Sequence, residues 1–392
     1  MADQGLVSAC NFLVSALIAR FLGVSEFGHW ALVFGVVLYV NTVAGALIWL
    51  PMLTLAPRLD GVRKMSFLRG TLASQIALAL VAASVVLFAG SLLRQWRPDW
   101  LTSFEVCGLS AVVLCFQLQD WVRRYCFLTG APHAALWMDL LAYGGQVGAL
   151  AVLHQKAQLT VGSALLCVAS CYALGSMCGL VFLRLSPSWT GFRFASLELW
   201  RVGRAYLVAE QSQWLGSAGL LYVVAHLLGP QASGAVRATQ NLLGPTNVLF
   251  QAFHNVIQPG CVEALKNRGH VGMSRYLRQV AVWVGGGLAM GLLLISIEGA
   301  DLMAWVFGPS YRPYGALVTA QSAVVALTFV WLLSTYRARA LDHSTRIMSS
   351  GVLQALLSVV VVWLAAPGLQ AYSVALASCV GMLAALVVLW KS

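Results

Sequence analysis

The chain has 392 residues, of which 60% are hydrophobic and only 9% are charged. Soluble proteins carry about 25% charged residues, and runs of about 18 or more residues without charge are typical of membrane-spanning helices. The composition therefore predicts an all-α polytopic membrane protein and excludes a sizeable soluble domain. The net charge of +11 does not indicate nucleic-acid binding, because the basic residues lie in short segments between apolar runs.

Apolar runs follow one another along the whole chain and predict twelve spans. The first run lacks a basic flank and a small-residue cleavage site, so we expect a retained helix rather than a signal peptide. The longest connection, from about Arg184 to Arg204, falls at the middle and predicts two six-helix bundles, residues 1–190 and 191–392. The predicted spans are 3–21, 29–55, 68–93, 104–119, 134–153, 160–183, 205–228, 236–259, 279–297, 315–336, 347–366 and 371–390.

The basic residues are distributed unevenly among the connections. If the N-terminus is cytoplasmic, three quarters of the 24 lysines and arginines fall on the cytoplasmic side, including Arg123 and Arg124 after the fourth span and Lys391 after the last. Cytoplasmic segments of inner-membrane proteins are enriched in these residues. The sequence therefore predicts that both termini are cytoplasmic.

A short phrase occurs twice in the chain. Residues 19–23 (ARFLG) and Gly28 correspond to residues 225–229 (AHLLG) and Gly234, and the same offset of 206 relates Asn41 to Asn247. Internal repeats are a recurrent design of membrane transporters, with the substrate path at the interface of the repeats. The repeat therefore favours a transporter made of two related halves.

Polar residues recur at helical spacing inside three of the predicted spans. Intervals of three and four place them on one face of each helix, and polar groups inside a bilayer face a cavity or a partner. We interpret Arg237, with Gln240, Asn241, Asn247, Gln251, Gln4, Asn11 and Gln213, as a substrate-binding cavity; hydrogen-bonded seams between helices are the alternative. The three stripes are Gln4, Ser8, Asn11 and Ser15; Tyr206, Glu210, Gln213 and Ser217; and Arg237, Gln240, Gly244, Asn247, Gln251, His254 and Gln258.

Two acidic residues lie in or near spans and are candidates for ion coupling, Glu210 in the seventh and Asp139 in the fifth. Each is equally well explained as a structural carboxylate, in the case of Glu210 as a partner of an arginine such as Arg237. Pro51 and Pro245 weaken the helix ladder in the second and eighth spans, so we expect bends there.

The sequence lacks the motifs of several common enzyme classes. There is no GxxxxGK[ST] loop, so ATP hydrolysis is not expected, and GxSxG and HExxH are also missing. The nine cysteines include no CxxC pair and no zinc-like cluster with histidine, so we expect no metal, no cofactor and no enzyme activity.

Four segments resemble bacterial polysaccharide-export flippases, the Wzx-like members of the multidrug/oligosaccharidyl-lipid/polysaccharide superfamily. The segments are residues 3–8 (DQGLVS) with Asn11 and Phe12, residues 19–28, residues 119–125 (QDWVRRY) and residues 234–245 (GAVRATQNLLGP). The resemblance extends to about Arg346.

The resemblance implies two six-helix bundles that form a V around a central cavity, as in MATE-like transporters. It also implies movement of an undecaprenyl-diphosphate-linked oligosaccharide, such as a capsule, exopolysaccharide or O-antigen repeat unit, to the periplasmic face of the inner membrane. A glycan polymerase and export machinery would then be partners, beside membrane lipid. The alternatives are a cation-coupled small-molecule antiporter of the same fold and, with less support because no outer connection is long, a membrane glycan polymerase or ligase.

Overall fold

The computed structural model describes residues 2–390, and within this range the chain consists of helices and their connections without any strand, which confirms the all-α class. Met1, Lys391 and Ser392, and with them the predicted cytoplasmic charge of Lys391, lie outside the described residues. The helices are α1 (Ala2–Ala44), α2 (Leu50–Leu55), α3 (Gly61–Trp96), α4 (Ser103–Leu128), α5 (Pro132–Asp139), α6 (Gly145–Gln155), α7 (Val161–Phe182), α8 (Trp189–Leu215), α9 (Gly219–Leu228), α10 (Pro230–Leu242), α11 (Pro245–Ile297), α12 (Gly299–Phe307), α13 (Gly315–Ala340), α14 (Ser344–Leu369) and α15 (Tyr372–Trp390).

Two of these helices are longer than a bilayer is thick. At 1.5 Å per residue, α1 and α11 would reach about 65 and 80 Å, whereas a bilayer with its headgroups measures about 40–45 Å. Each is interrupted by one glycine with positive φ, Gly23 (φ 82°, ψ 178°) in α1 and Gly269 (φ 61°, ψ −165°) in α11. These angles are essentially restricted to glycine. Each long helix is therefore two helices joined at a glycine.

In the described part of the chain, nine helical segments are long and apolar enough to cross a membrane. Gln4–Arg58 holds almost all of the first two predicted spans, and Pro245–Ile297 holds the later part of the eighth and all of the ninth. The predicted seventh span, 205–228, is divided instead, because α8 ends at Leu215 and α9 begins at Gly219. The count of twelve spans stays a prediction.

Large apolar side chains are exposed on the outer faces of several helices. On α3, for example, Val81, Val85 and Phe88 are 60%, 59% and 73% exposed. Such a surface would cause aggregation in water, whereas hydrocarbon is a favourable environment for it. The chain is a multi-pass membrane protein.

The helices form two compact units. The first unit comprises the chain through Leu22 together with Val33–Gln211, and the second comprises Gly23–Leu32 together with the chain from Ser212. A short part of α1 therefore belongs to the second unit. The predicted bundles, 1–190 and 191–392, stay a proposal about organisation.

Each unit has an apolar core. In the first unit, Met52, Phe67, Leu72 and Trp121 from α2, α3 and α4 are buried in one cluster.

Pro51 follows a π-helical turn, Gly45–Trp49, which is the local distortion expected where proline removes a hydrogen-bond donor.

The core of the second unit lies between α11 and α13. Phe250 and Ile257 of α11 pack there with Phe329 and Tyr336 of α13. This contact holds α11 in place directly after Pro245, where the polar stripe of the eighth span continues. The core thereby positions the candidate site described below.

The repeated phrase has the same structure at both of its positions. Gly229 adopts φ 84° and ψ 174°, nearly the angles of its counterpart Gly23. Gly28 and Gly234 lie against each other in the second unit: a Cβ built on either one would lie 2.9 Å from the backbone nitrogen of the other. Real Cβ atoms do not approach so closely, so only glycine fits at both positions.

Candidate functional site

The predicted cavity residues are most concentrated on α10, in the second unit. Proline at the first position of α10, Pro230, suits a helix start because its missing N–H would be unpaired there in any case. The middle of this helix is buried on all sides, while Arg237, Gln240 and Asn241 are half-buried. The buried residues are Ser233, Gly234, Ala235, Val236, Ala238 and Thr239.

Arg237 forms no ion pair with a carboxylate among residues 2–390. Its charge lies within electrostatic range of the Tyr222 phenol, whose hydroxyl donates a 2.8 Å hydrogen bond to the Leu32 carbonyl oxygen. Arginine inside a membrane protein usually pairs with an acid or a carbonyl, or faces water. Arg237 therefore offers a positive charge that an anionic ligand could neutralise.

Asn241 lies one helical turn beyond Arg237. Its side-chain nitrogen Nδ2 is buried and has no hydrogen-bond partner in the described structure. Leaving such a donor unpaired costs about 1–3 kcal/mol. Since residues four apart share a helix face, an oxygen-rich ligand held by Arg237 could also accept this hydrogen bond.

The polar stripe of the eighth span is interrupted rather than continuous. α10 ends at Leu242 and α11 begins at Pro245, so the helix is interrupted for two residues at the proline where we expected a bend. Asn247 and Gln251 follow in the first turns of α11, and both are exposed. The polar stripe predicted from Arg237 onward is therefore carried by two helices, α10 up to Asn241 and α11 from Asn247.

The far end of that stripe takes part in packing. Gln258 Oε1 accepts a 3.0 Å hydrogen bond from Arg339 Nη1, and the His254 ring meets Tyr336 edge-on at 5.1 Å between centroids. These contacts match the alternative of a hydrogen-bonded seam between helices. The candidate site in the second unit is accordingly limited to the part of the stripe from Arg237 to Gln251.

The stripe of the predicted seventh span lies on α8, close to where that helix ends. Glu210 is half-buried and Gln213 is exposed. The Ser217 hydroxyl donates a 2.8 Å hydrogen bond to the Gln213 carbonyl oxygen, which closes the end of the helix. Among residues 2–390, no three His, Cys, Asp or Glu side chains are grouped to hold a metal.

The first unit contains a different arrangement, a buried network around Asp139. Arg123 Nε lies 2.6 Å from Asp139 Oδ2, and Gln119 Nε2 donates to Asp139 Oδ1 at 3.0 Å. Asp139 is fully buried. Gln4 Oε1 accepts a 3.2 Å hydrogen bond from Arg123 Nη2, whereas Asn11, on the same stripe as Gln4, is exposed. The network links three helices of this unit.

The next arginine, Arg124, is also engaged. Its Nε lies 2.8 Å from Asp120 Oδ2, and its guanidinium stacks 3.4 Å from the centroid of the Trp49 ring. Both arginines lie in the last two turns of α4, beyond residue 119, where the fourth predicted span ends. The four-residue spacing of Asp120 and Arg124 was the signal that could have revealed the pair.

The fold of this chain is similar to those of solved membrane transporters and flippases. The solved structure of lipid II flippase MurJ, in an inward closed conformation, matches it with a TM-score of 0.76 and 10% identity over 99% of this chain and 86% of that chain.

Two other solved structures extend the comparison. An inward-facing multidrug resistance MATE family transporter matches with a TM-score of 0.75 and 14% identity, over 97% of this chain and 92% of that one. A MOP superfamily transporter from Pyrococcus furiosus matches with a TM-score of 0.65 and 13% identity, over 98% of this chain and 91% of that one. No protein-family model and no curated protein matches the chain. Identities this low establish the fold alone.

Proposed function

We propose that this chain is a flippase that moves an undecaprenyl-diphosphate-linked oligosaccharide from the cytoplasmic to the periplasmic face of a bacterial inner membrane. A diphosphate and its sugars cannot cross hydrocarbon unless other groups replace the lost water. The proposed binding residues supply such groups as one guanidinium and several amides. They are Arg237, Gln240, Asn241, Asn247, Gln251 and Gln213 in the second unit, and Gln4 and Asn11 in the first.

The observation that supports an anionic substrate is the absence of a carboxylate partner for Arg237 among the described residues. A fixed positive charge in a low-dielectric site forms strong, charge-assisted hydrogen bonds with phosphate oxygens. An antiporter for cationic drugs would instead require available acids. Of the two candidate acids, Asp139 is already neutralised by Arg123, which leaves Glu210.

The proposal is tested in liposomes that contain a fluorescent lipid-linked oligosaccharide, with flipping scored by access of an external quencher. We expect Arg237→Ala to lower the flipping rate about tenfold or more, the loss of one strong interaction of about 1.4 kcal/mol or greater. Arg237→Lys should restore the rate only in part, because lysine lacks the planar fork.

Arg312→Ala is the matched control for this experiment. Arg312 pairs with Asp301 on an exposed surface, where both side chains are more than 60% exposed, so its loss should leave the rate unchanged. Flipping at the wild-type rate by well-folded Arg237→Ala would refute the proposed site. Active extrusion of a cationic dye by the same vesicles, without any flipping, would favour the antiporter instead.

We further propose that Glu210 couples transport to a proton gradient. A half-buried carboxyl group that gains and loses a proton would change the charge of its surroundings between two conformations, which allows a gradient to bias their equilibrium. Asp139 is the second candidate, although its ion pair favours a structural role.

We expect a pH gradient to raise flipping several-fold in the wild type and to have no effect on Glu210→Gln. Flipping by the wild type that does not respond to the gradient would end the coupling proposal. Loss of folded Glu210→Gln protein would assign the carboxylate a structural role.

A further inference from the structure

A groove in the second unit has a chemistry that the proposed transport site does not use. It has a volume of about 520 Å³ and runs between the second half of α11 and α13. Leu277, Ala281, Gly285 and Leu288 line one wall at intervals of three and four residues, and Phe329 lies on the other wall. The volume falls within the range of ordinary ligand sites, and most of the lining is apolar.

One end of the groove carries two positive charges. Arg278 and Arg337 both line it there, beside Ser334, and neither arginine has a carboxylate partner among residues 2–390. Trp390 closes this end, and its Nε1 donates a 2.9 Å hydrogen bond to the Ser334 hydroxyl. Tryptophan is enriched where hydrocarbon meets the headgroups, so the charged end lies at the level of a membrane interface.

The length of the groove corresponds to one leaflet. From Arg278 to Ala289 the helical rise is about 16 Å, close to half of the roughly 30 Å hydrocarbon core of a bilayer. Ala281 and Ala289 are exposed, so the groove opens towards the surrounding lipid. A molecule with one negative headgroup and a hydrocarbon chain of leaflet length would complement both its charge and its shape.

We propose that this groove binds an anionic phospholipid, with the phosphate between Arg278 and Arg337 and an acyl chain along Ala281 and Gly285. Basic pockets between transmembrane helices are known to hold such headgroups. The positive-inside pattern assigns this lipid to the cytoplasmic leaflet. The site is separate from Arg237, so its test does not depend on the proposed transport function.

Native mass spectrometry of the purified full-length protein tests the site with phosphatidylglycerol and, as a neutral comparison, phosphatidylcholine. We expect the wild type to retain phosphatidylglycerol and the double variant R278A/R337A to lose at least fivefold of that occupancy. Ala281→Phe, which blocks the acyl chain and leaves the charges, should also lower it. Binding of phosphatidylcholine as strong as that of phosphatidylglycerol would overturn the proposal.

The matched control is R275A/R339A, which removes one charge from each of the same helices but at residues that do not line the groove. It should keep wild-type occupancy; an equal loss in both double variants would mean a diffuse basic surface and would refute the site. Thermal unfolding gives a second readout: phosphatidylglycerol should raise the Tm of the wild type and of the control, but not of R278A/R337A.

Competition distinguishes the sources of phosphate. Inorganic phosphate at millimolar concentration should not displace the phospholipid, because it lacks the chain that fills the groove. Displacement by inorganic phosphate would reduce the site to an anion contact and overturn the proposal. Preferential binding of undecaprenyl phosphate, lost in R278A/R337A, would overturn it in favour of a substrate-tail site.

Discussion

Two arginines, one in each unit, lie in helices of the same apolar chain and have opposite surroundings. Arg123 lies 2.6 Å from the buried carboxylate of Asp139, while no acid pairs with Arg237 among residues 2–390. A charge that is fully paired inside a protein contributes to structure, and pairing leaves it little capacity to bind anything else. A charge without a partner is available to a ligand. The surroundings of the two arginines therefore predict different roles for them.

The largest effect is expected from Asp139→Asn, which leaves the Arg123 charge without its partner. Removal of one member of a buried ion pair costs about 3–5 kcal/mol. We therefore expect the Tm of the purified variant to fall far below that of the wild type. The control Asp301→Asn breaks the exposed pair with Arg312 and should cost less than about 1 kcal/mol. Equal stability of the two variants would contradict a structural role for the buried ion pair of Arg123 with Asp139.

A smaller loss is expected from Arg124→Gln, which removes both the ion pair with Asp120 and the stacking on Trp49. We expect about 1–2 kcal/mol, since the pair is partly exposed and the cation–π contact adds about 1 kcal/mol. A double-mutant cycle with Trp49→Leu measures the stacking separately. A coupling energy near zero would show that the ring serves packing alone.

The smallest effect on stability is expected from Asn241→Leu. The amide nitrogen of Asn241 has no partner to lose, so its removal should change stability by less than about 1 kcal/mol while it lowers flipping. Gln119→Leu is the comparison in the first unit, where loss of the hydrogen bond to Asp139 should cost about 1–3 kcal/mol. The contrast fails if Asn241→Leu is the less stable of the two.

Hydropathy was sufficient to predict the class of this protein, because hydrocarbon selects apolar side chains over whole helices. The repeat identified Gly23 and Gly229 as equivalent positions. The sequence shows only that both are glycines, and their matching backbone angles come from the structure. Pro245 marked a real break in the eighth span.

Pairings between helices could not be predicted in the same way. The ion pair of Arg123 with Asp139 joins residues of different helices, and positive-inside counting treats every arginine near a span end as solvated. Helix periodicity likewise placed Gln240 and Gln258 on one face, although the two-residue break before Pro245 and the contact with Arg339 separate them. Local spacing specifies a helix face, whereas the partner of that face depends on the tertiary fold.

The close approach of Gly28 to Gly234 couples the two copies of the repeated phrase. A Cβ on Gly28 would strike the carbonyl of Pro230, and a Cβ on Gly234 would strike the carbonyl of Val24, its counterpart at the same offset of 206. Such exchanged contacts define an interface with twofold symmetry. The segments before the two glycines share no residue at equivalent positions, VSEF in residues 24–27 and PQAS in residues 230–233. The contact therefore requires the missing Cβ at each glycine and not a particular sequence before it.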